Sequence, residues 1–211
     1  MMKKLLLRVL SGCCVLGPGS LLAADYDEAI GKALEGLQVE KPAKPRKVLV
    51  FSVTRGFRHA SIGTGQTAMR LMAEKTGAFE AVISDDLANF EPGTIEQFDA
   101  ICFLNTTLEV FSPPKGELKK MSEEEKKAAT EKELRLKESL MGFIKGGKGF
   151  IGIHAATDTF YKWPEYGEMI GGYFNGHPWG AGTPVSVKVE DGQEQHACCA
   201  HLDGKNLDFK E

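Results

Sequence analysis

The sequence predicts an α/β domain built on a mainly parallel sheet. One observation is the run Gly146-Gly147-Lys148-Gly149-Phe150-Ile151-Gly152-Ile153-His154, where glycines suited to a tight turn lead into a short apolar stretch. Such a stretch, bounded by turn signals, reads as a strand buried on both faces. A second is the glycine content: 24 of 211 residues suit a loop-rich α/β domain better than a helical bundle. A third is the series of earlier apolar, β-branched runs, each followed by polar loop residues.

The N-terminus reads as an export signal. Lys3 and Lys4 precede an apolar stretch from Leu5 to Leu16, interrupted by Arg8. Small residues Ala23 and Ala24 come next, so residues 1–24 are expected to be cleaved and the protein to be periplasmic or secreted. Leu10-Ser11-Gly12-Cys13 has lipobox order. Lipidation at Cys13 is therefore the alternative, and the only route by which the chain would reach a membrane. No other stretch approaches the length of a membrane span. Residues 25–46 supply a short amphipathic helix, Asp25 to Leu37, and a linker, Val39 to Arg46, with Pro42 and Pro45. The domain proper is expected from Lys47 to Glu211.

Lys47 to Val53 reads as the first strand. The loop after it, Thr54 to Ser61, carries Arg55, Arg58 and His59, and suits anion or hydroxyl binding as well as plain solvation. Gly63 to Thr76 follows as a helix with one apolar face. Phe79 to Ser84 is the second strand. Asp85 and Asp86 behind it suit a cap or turn better than a metal site. Phe98 to Leu104 is the third strand, and Asn105-Thr106-Thr107 at its end would face the same edge of the sheet. Ser112 to Glu133 is a charged insertion or lid, Ser122 and Glu125 form a capping box, and a helix with a buried leucine-phenylalanine face should start there. Tyr161 to Phe174 is aromatic and glycine-rich, as sugar sites and ordinary cores both are. Pro184 to Glu190 alternates as a half-exposed strand. Signals from His196 onward are weak.

Composition excludes some classes. Twenty-six basic residues face 29 acidic ones, for a net charge of -3, and no basic patch interleaves with aromatics. Nucleic acid is not an expected partner. Cys102 lies in an apolar run and should behave as a small hydrophobe. Cys198 and Cys199 near His196 and His201 match no standard zinc spacing.

Gly-Phe-Ile-Gly-Ile-His-Ala-Ala-Thr-Asp (149–158), Trp163-Pro164-Glu165-Tyr166-Gly167, Gly171-Gly172-Tyr173-Phe174, His177-Pro178 and the earlier Gly56-Phe57-Arg58-His59 together resemble the ThuA-like (trehalose-utilisation) family. The resemblance covers most of Lys47 to Glu211. It implies a class I glutamine amidotransferase-like domain, a flavodoxin-like three-layer fold. The strand-to-helix corner that holds a cysteine nucleophile in that superfamily holds His154 here, which argues against cysteine-dependent amidotransferase chemistry. Relatives continue into a further strand and a glycine-histidine loop, so the domain is expected to be truncated at its C-terminal side.

The candidate site is His154, Asp158, His59 and His177 as catalytic groups, with Arg58, Trp163, Tyr166 and Asn105 binding substrate. Imidazoles shuttle protons near neutral pH, and Asp158, four residues after His154, would orient its ring. No Gly-x-Ser-x-Gly is present, so covalent acyl transfer lacks a nucleophile. Three readings follow. The first is an exported carbohydrate-active hydrolase or lyase acting on trehalose or a related, oxidised disaccharide. The second is a zinc site on His59, His154 and His177. The third is a sugar-binding or interaction module without turnover. Substrate, cofactor and oligomeric state are left open.

Overall fold

The computed structural model describes residues 18–37, 39, 41–180 and 182–210. The charged start of the export signal, its apolar run and Cys13 lie outside the described residues. The described chain divides into two compact units at Tyr173/Phe174, within the range that the sequence reading treats as one domain.

The first unit is an α/β layer structure. Its elements are α1 (Pro18–Ala33), β1 (Lys47–Phe51), α2 (Ile62–Thr76), β2 (Glu80–Ile83), β3 (Ala100–Leu104), α3 (Lys115–Leu118), α4 (Glu123–Lys145), β4 (Gly149–Ile153) and α5 (Pro164–Ile170). The four strands are all parallel, in the order β2-β1-β3-β4. That is a flavodoxin-like arrangement, as expected.

Period-two alternation in β1 and β3 divides the core between two faces. Leu49 and Phe51 of β1, with Ile101 and Phe103 of β3, meet Leu136, Leu140 and Phe143 of α4. Val48, Val50, Cys102 and Leu104 point the other way and meet Met69 of α2. Helix α2 approaches closely because Gly65 has no side chain: a Cβ there would sit 2.8 Å from Leu104 Cδ1. Burial pushes the Cys102 thiol up to about 12, so this cysteine is the small hydrophobe its context predicts. The capping box predicted at Ser122 and Glu125 starts α4.

Two expectations are corrected. β4 is not buried on both faces. Among the described residues it ends the sheet, and its residues are exposed or half-buried, with Ile151 40% exposed. Its apolar run reflects one packed face plus glycines that admit neighbours: a Cβ on Gly149 would lie 2.9 Å from Ala100 Cβ. The first helix also begins earlier than expected, at Pro18 rather than Asp25. None of the described helices is long and apolar enough to cross a membrane.

The second unit contains β5 (Pro184–Val187) and β6 (Leu207–Lys210), paired antiparallel. β5 matches the predicted half-exposed strand. β6 lies where the sequence signals are weak.

Candidate functional site

The loops at the carboxyl ends of β1, β3 and β4 carry most of the candidate site residues, and hydrogen bonds lace these loops together. Arg55 N–H donates to the Thr107 carbonyl at 2.9 Å, and Gly56 N–H donates to Thr107 Oγ1 at 3.2 Å. The Thr107 hydroxyl in turn donates to the Phe57 carbonyl at 3.1 Å. On the other side, Leu108 N–H donates to the Asp158 carbonyl at 2.6 Å, and the hydroxyls of Thr106 and Thr159 meet at 2.8 Å in a buried pair. Three loops are thus held to one another before any ligand arrives.

His154 opens the turn after β4. Its φ is 51°, the left-handed region that non-glycine residues rarely enter. Such strain persists where surrounding structure imposes it, and it gathers at functional sites. The turn projects an exposed imidazole from the sheet edge, while Ala155 and Ala156 behind it are buried. His59 arrives from the β1 loop. The two rings lie 4.6 Å apart, edge to face at 69°.

Burial holds His59 below its ordinary value, His154 beside it pushes the same way, and Asp158 pulls weakly upward. Burial and the neighbouring ring thus favour the neutral form of His59. Its Nδ1 is buried without a hydrogen-bond partner among the described residues.

Asp158 does not hydrogen-bond to His154, contrary to the triad-like expectation. Residues 154–158 form a 3₁₀ turn, not an α-helix. At three residues per turn, positions four apart are rotated by about 120°. The Asp158 carboxylate instead accepts a hydrogen bond from Tyr161 Oη at 2.6 Å. Burial, then Asp158, push the Tyr161 phenol up to about 12, so it stays a donor. Its ring stacks on Tyr173 at 5.3 Å.

Asn105 sits beside His154, since Leu104 and Ile153 are register partners. It too is left-handed, with φ 53°, and it is only 3% exposed. Its Nδ2 donates to Ser61 Oγ at 2.9 Å, while Oδ1 is buried without a partner among the described residues. Ser61 precedes α2 and makes no capping bond of its own. Arg58 is exposed and turned back, with Nη1 donating to the Ser52 carbonyl at 3.3 Å.

Two of the expected substrate residues are core instead. Tyr166 is fully buried, and its hydroxyl donates to the Ala156 carbonyl at 2.8 Å. Its ring packs among Phe103, Phe150, Phe160 and Trp163, leaving no surface for a sugar. Trp163 is half-buried against the same cluster and precedes α5. The aromatic ring beside His59 is Phe57, and Tyr161 reaches the corner through Asp158. Neither was singled out by sequence, because an aromatic-rich stretch looks alike whether its rings pack or face a ligand.

His177 belongs to the second unit. It is exposed, and its Nδ1 donates to the Trp179 carbonyl at 2.6 Å. Among the described residues, no three His, Cys, Asp or Glu side chains are arranged to hold a metal ion. Asp85 and Asp86 serve the backbone: Asp85 accepts from Ser52 N–H and Asp86 caps the turn at Leu87.

The ThuA family pattern, described as trehalose utilisation, matches residues 47–211. The chain belongs to the ThuA family. A crystal structure of a ThuA-like protein from Bacteroides uniformis ATCC 8492 is similar in fold, with TM-score 0.56 and 19% sequence identity over 83% of this chain. The ThuA chain described here spans 62% of that protein's length. No curated protein matches it.

Proposed function

We propose that this ThuA protein acts on a carbohydrate of the trehalose class, or an oxidised relative, by general acid–base chemistry at His59 and His154. The observation that carries this reading is the contact of the two imidazoles at the carboxyl edge of a parallel sheet, where ligands of such sheets bind. His59, in its neutral form, accepts a proton from a substrate hydroxyl or a water through Nε2. As that oxygen bonds to the sugar carbon, His154 gives a proton to the departing oxygen whose bond to the same carbon breaks, and His59 then passes its proton back to His154, directly or through water, which closes the cycle. Asn105 and Ser61 offer hydrogen bonds to sugar hydroxyls, and Asp158 supports the positive charge that develops on the pair.

The family's link to trehalose utilisation supports this substrate class. The basic, apolar N-terminus with Ala23-Ala24 supports work outside the cytoplasm. Fractionation of expressing cells checks the location.

Turnover of trehalose and its oxidised derivatives by the full chain, compared with His59→Gln and His154→Gln, tests the chemistry. Each variant is expected to lose about 100-fold or more in kcat. Unchanged turnover in both sinks the acid–base assignment. Sugar binding with no turnover in the unaltered protein would replace it with a binding module.

A further inference from the structure

We propose that Phe57 is a ligand-stacking residue that takes the apolar face of a sugar ring beside the His59–His154 pair. This rests on the carbohydrate reading above and adds a binding residue to it.

At 71% exposed, Phe57 is the most exposed large hydrophobic side chain among the described residues. A phenyl ring in that position contributes little to the core. Yet its backbone is tightly held. The Thr107 hydroxyl donates to the Phe57 carbonyl at 3.1 Å and accepts from Gly56 N–H at 3.2 Å. Arg55 N–H, two residues before, bonds the Thr107 carbonyl. Gly56 is seated so closely that a Cβ would lie 2.9 Å from Leu108 Cδ1. The ring is therefore presented from a fixed loop, so little ordering entropy is lost on binding.

Its position suits a ligand of one kind. The ring centroid lies 4.9 Å from that of His59, inclined at 66°, so the phenyl borders the proton-transfer pair. The exposed Ser61 hydroxyl, which accepts from Asn105 Nδ2 at 2.9 Å, and the exposed His154 imidazole belong to the same corner. A molecule that joins an apolar C–H face to a rim of hydroxyls matches an exposed ring beside a polar corner. A pyranose is such a molecule: its C–H groups meet the negative face of an aromatic ring while its hydroxyls reach polar partners.

The test is binding of trehalose and of its oxidised derivatives to the full chain, by calorimetry and by proton NMR. Phe57→Ala is expected to raise Kd about tenfold, the equivalent of the stacking contribution. Phe57→Trp should restore affinity to within about threefold, because any aromatic face serves. Upfield ring-current shifts of the sugar C–H protons should be present with the unaltered protein and with Phe57→Trp, and absent with Phe57→Ala. Equal affinity for the unaltered protein and Phe57→Ala overturns the stacking role and leaves the histidine chemistry standing. Failure of Phe57→Trp to restore affinity, with its melting temperature unchanged, also overturns it. No binding of trehalose or of its oxidised derivatives by the unaltered protein removes the carbohydrate reading, and this subsite with it.

Discussion

Asn105 and His154 end neighbouring parallel strands side by side, and both adopt the left-handed backbone conformation, at φ 53° and 51°. Neither is glycine, so each carries a conformational cost of order 1–2 kcal/mol. The backbone is strained at the same corner as the candidate histidines.

His154→Gly should therefore be more stable than His154→Ala by about 1 kcal/mol, since glycine enters this region freely while alanine keeps the Cβ clash. Both should lack turnover. Thermal and denaturant melts of the two variants measure the difference, and equal stability would show that the backbone is relaxed here.

The stability of the protein should fall in mild acid through His59. Its folded-state value lies below its unfolded one, with burial the larger cause and His154 the second. Between the two values the unfolded chain binds more protons than the native one, so stability rises with pH through that window. It is lost as pH drops below the ordinary histidine range. His59→Gln should flatten this part of the pH–stability curve. A slope as steep in the variant as in the unaltered protein would assign the acid sensitivity to another group.

Tyr161→Phe removes the hydroxyl that Asp158 accepts. The carboxylate then keeps its full field, and Asp158 already draws His59 upward. The His59 titration, followed by its ring C–H resonance, should move to higher pH. No movement would mean that Tyr161 positions nothing beyond its own stack on Tyr173.

Tyr166→Phe separates core from site. It strands the buried Ala156 carbonyl that Tyr166 now satisfies, which should cost about 1–3 kcal/mol of stability. Sugar affinity should be unchanged. A selective loss of affinity without a change in melting would return Tyr166 to the ligand.

The strands were legible because β1 and β3 are short apolar runs followed by polar residues, and α4 because Ser122 and Glu125 announce its first turn. The meeting of His59 with His154 was legible from topology: parallel strands deliver their following loops to one edge. What failed was anything set by distant partners. The edge position of β4 depends on strand order, which no local pattern encodes. Tyr166 and Trp163 read as a sugar platform, because burial of an aromatic ring is decided by the helix and sheet around it. The role expected of Asp158 failed on a local point, the tighter 3₁₀ turn, which His-Ala-Ala-Thr-Asp does not advertise over an α-helical one.

The exposed margin of β4 bears on how the protein behaves in concentrated solution. Gly149-Phe150-Ile151-Gly152-Ile153 carries no charge and no proline, and Ile151 stands half in solvent. Such margins template strand-to-strand association between molecules, a hazard that natural sheets blunt with lysine or a bulge. Ordered aggregates should seed from this five-residue segment, and a lysine at position 151 would act as a gatekeeper against them.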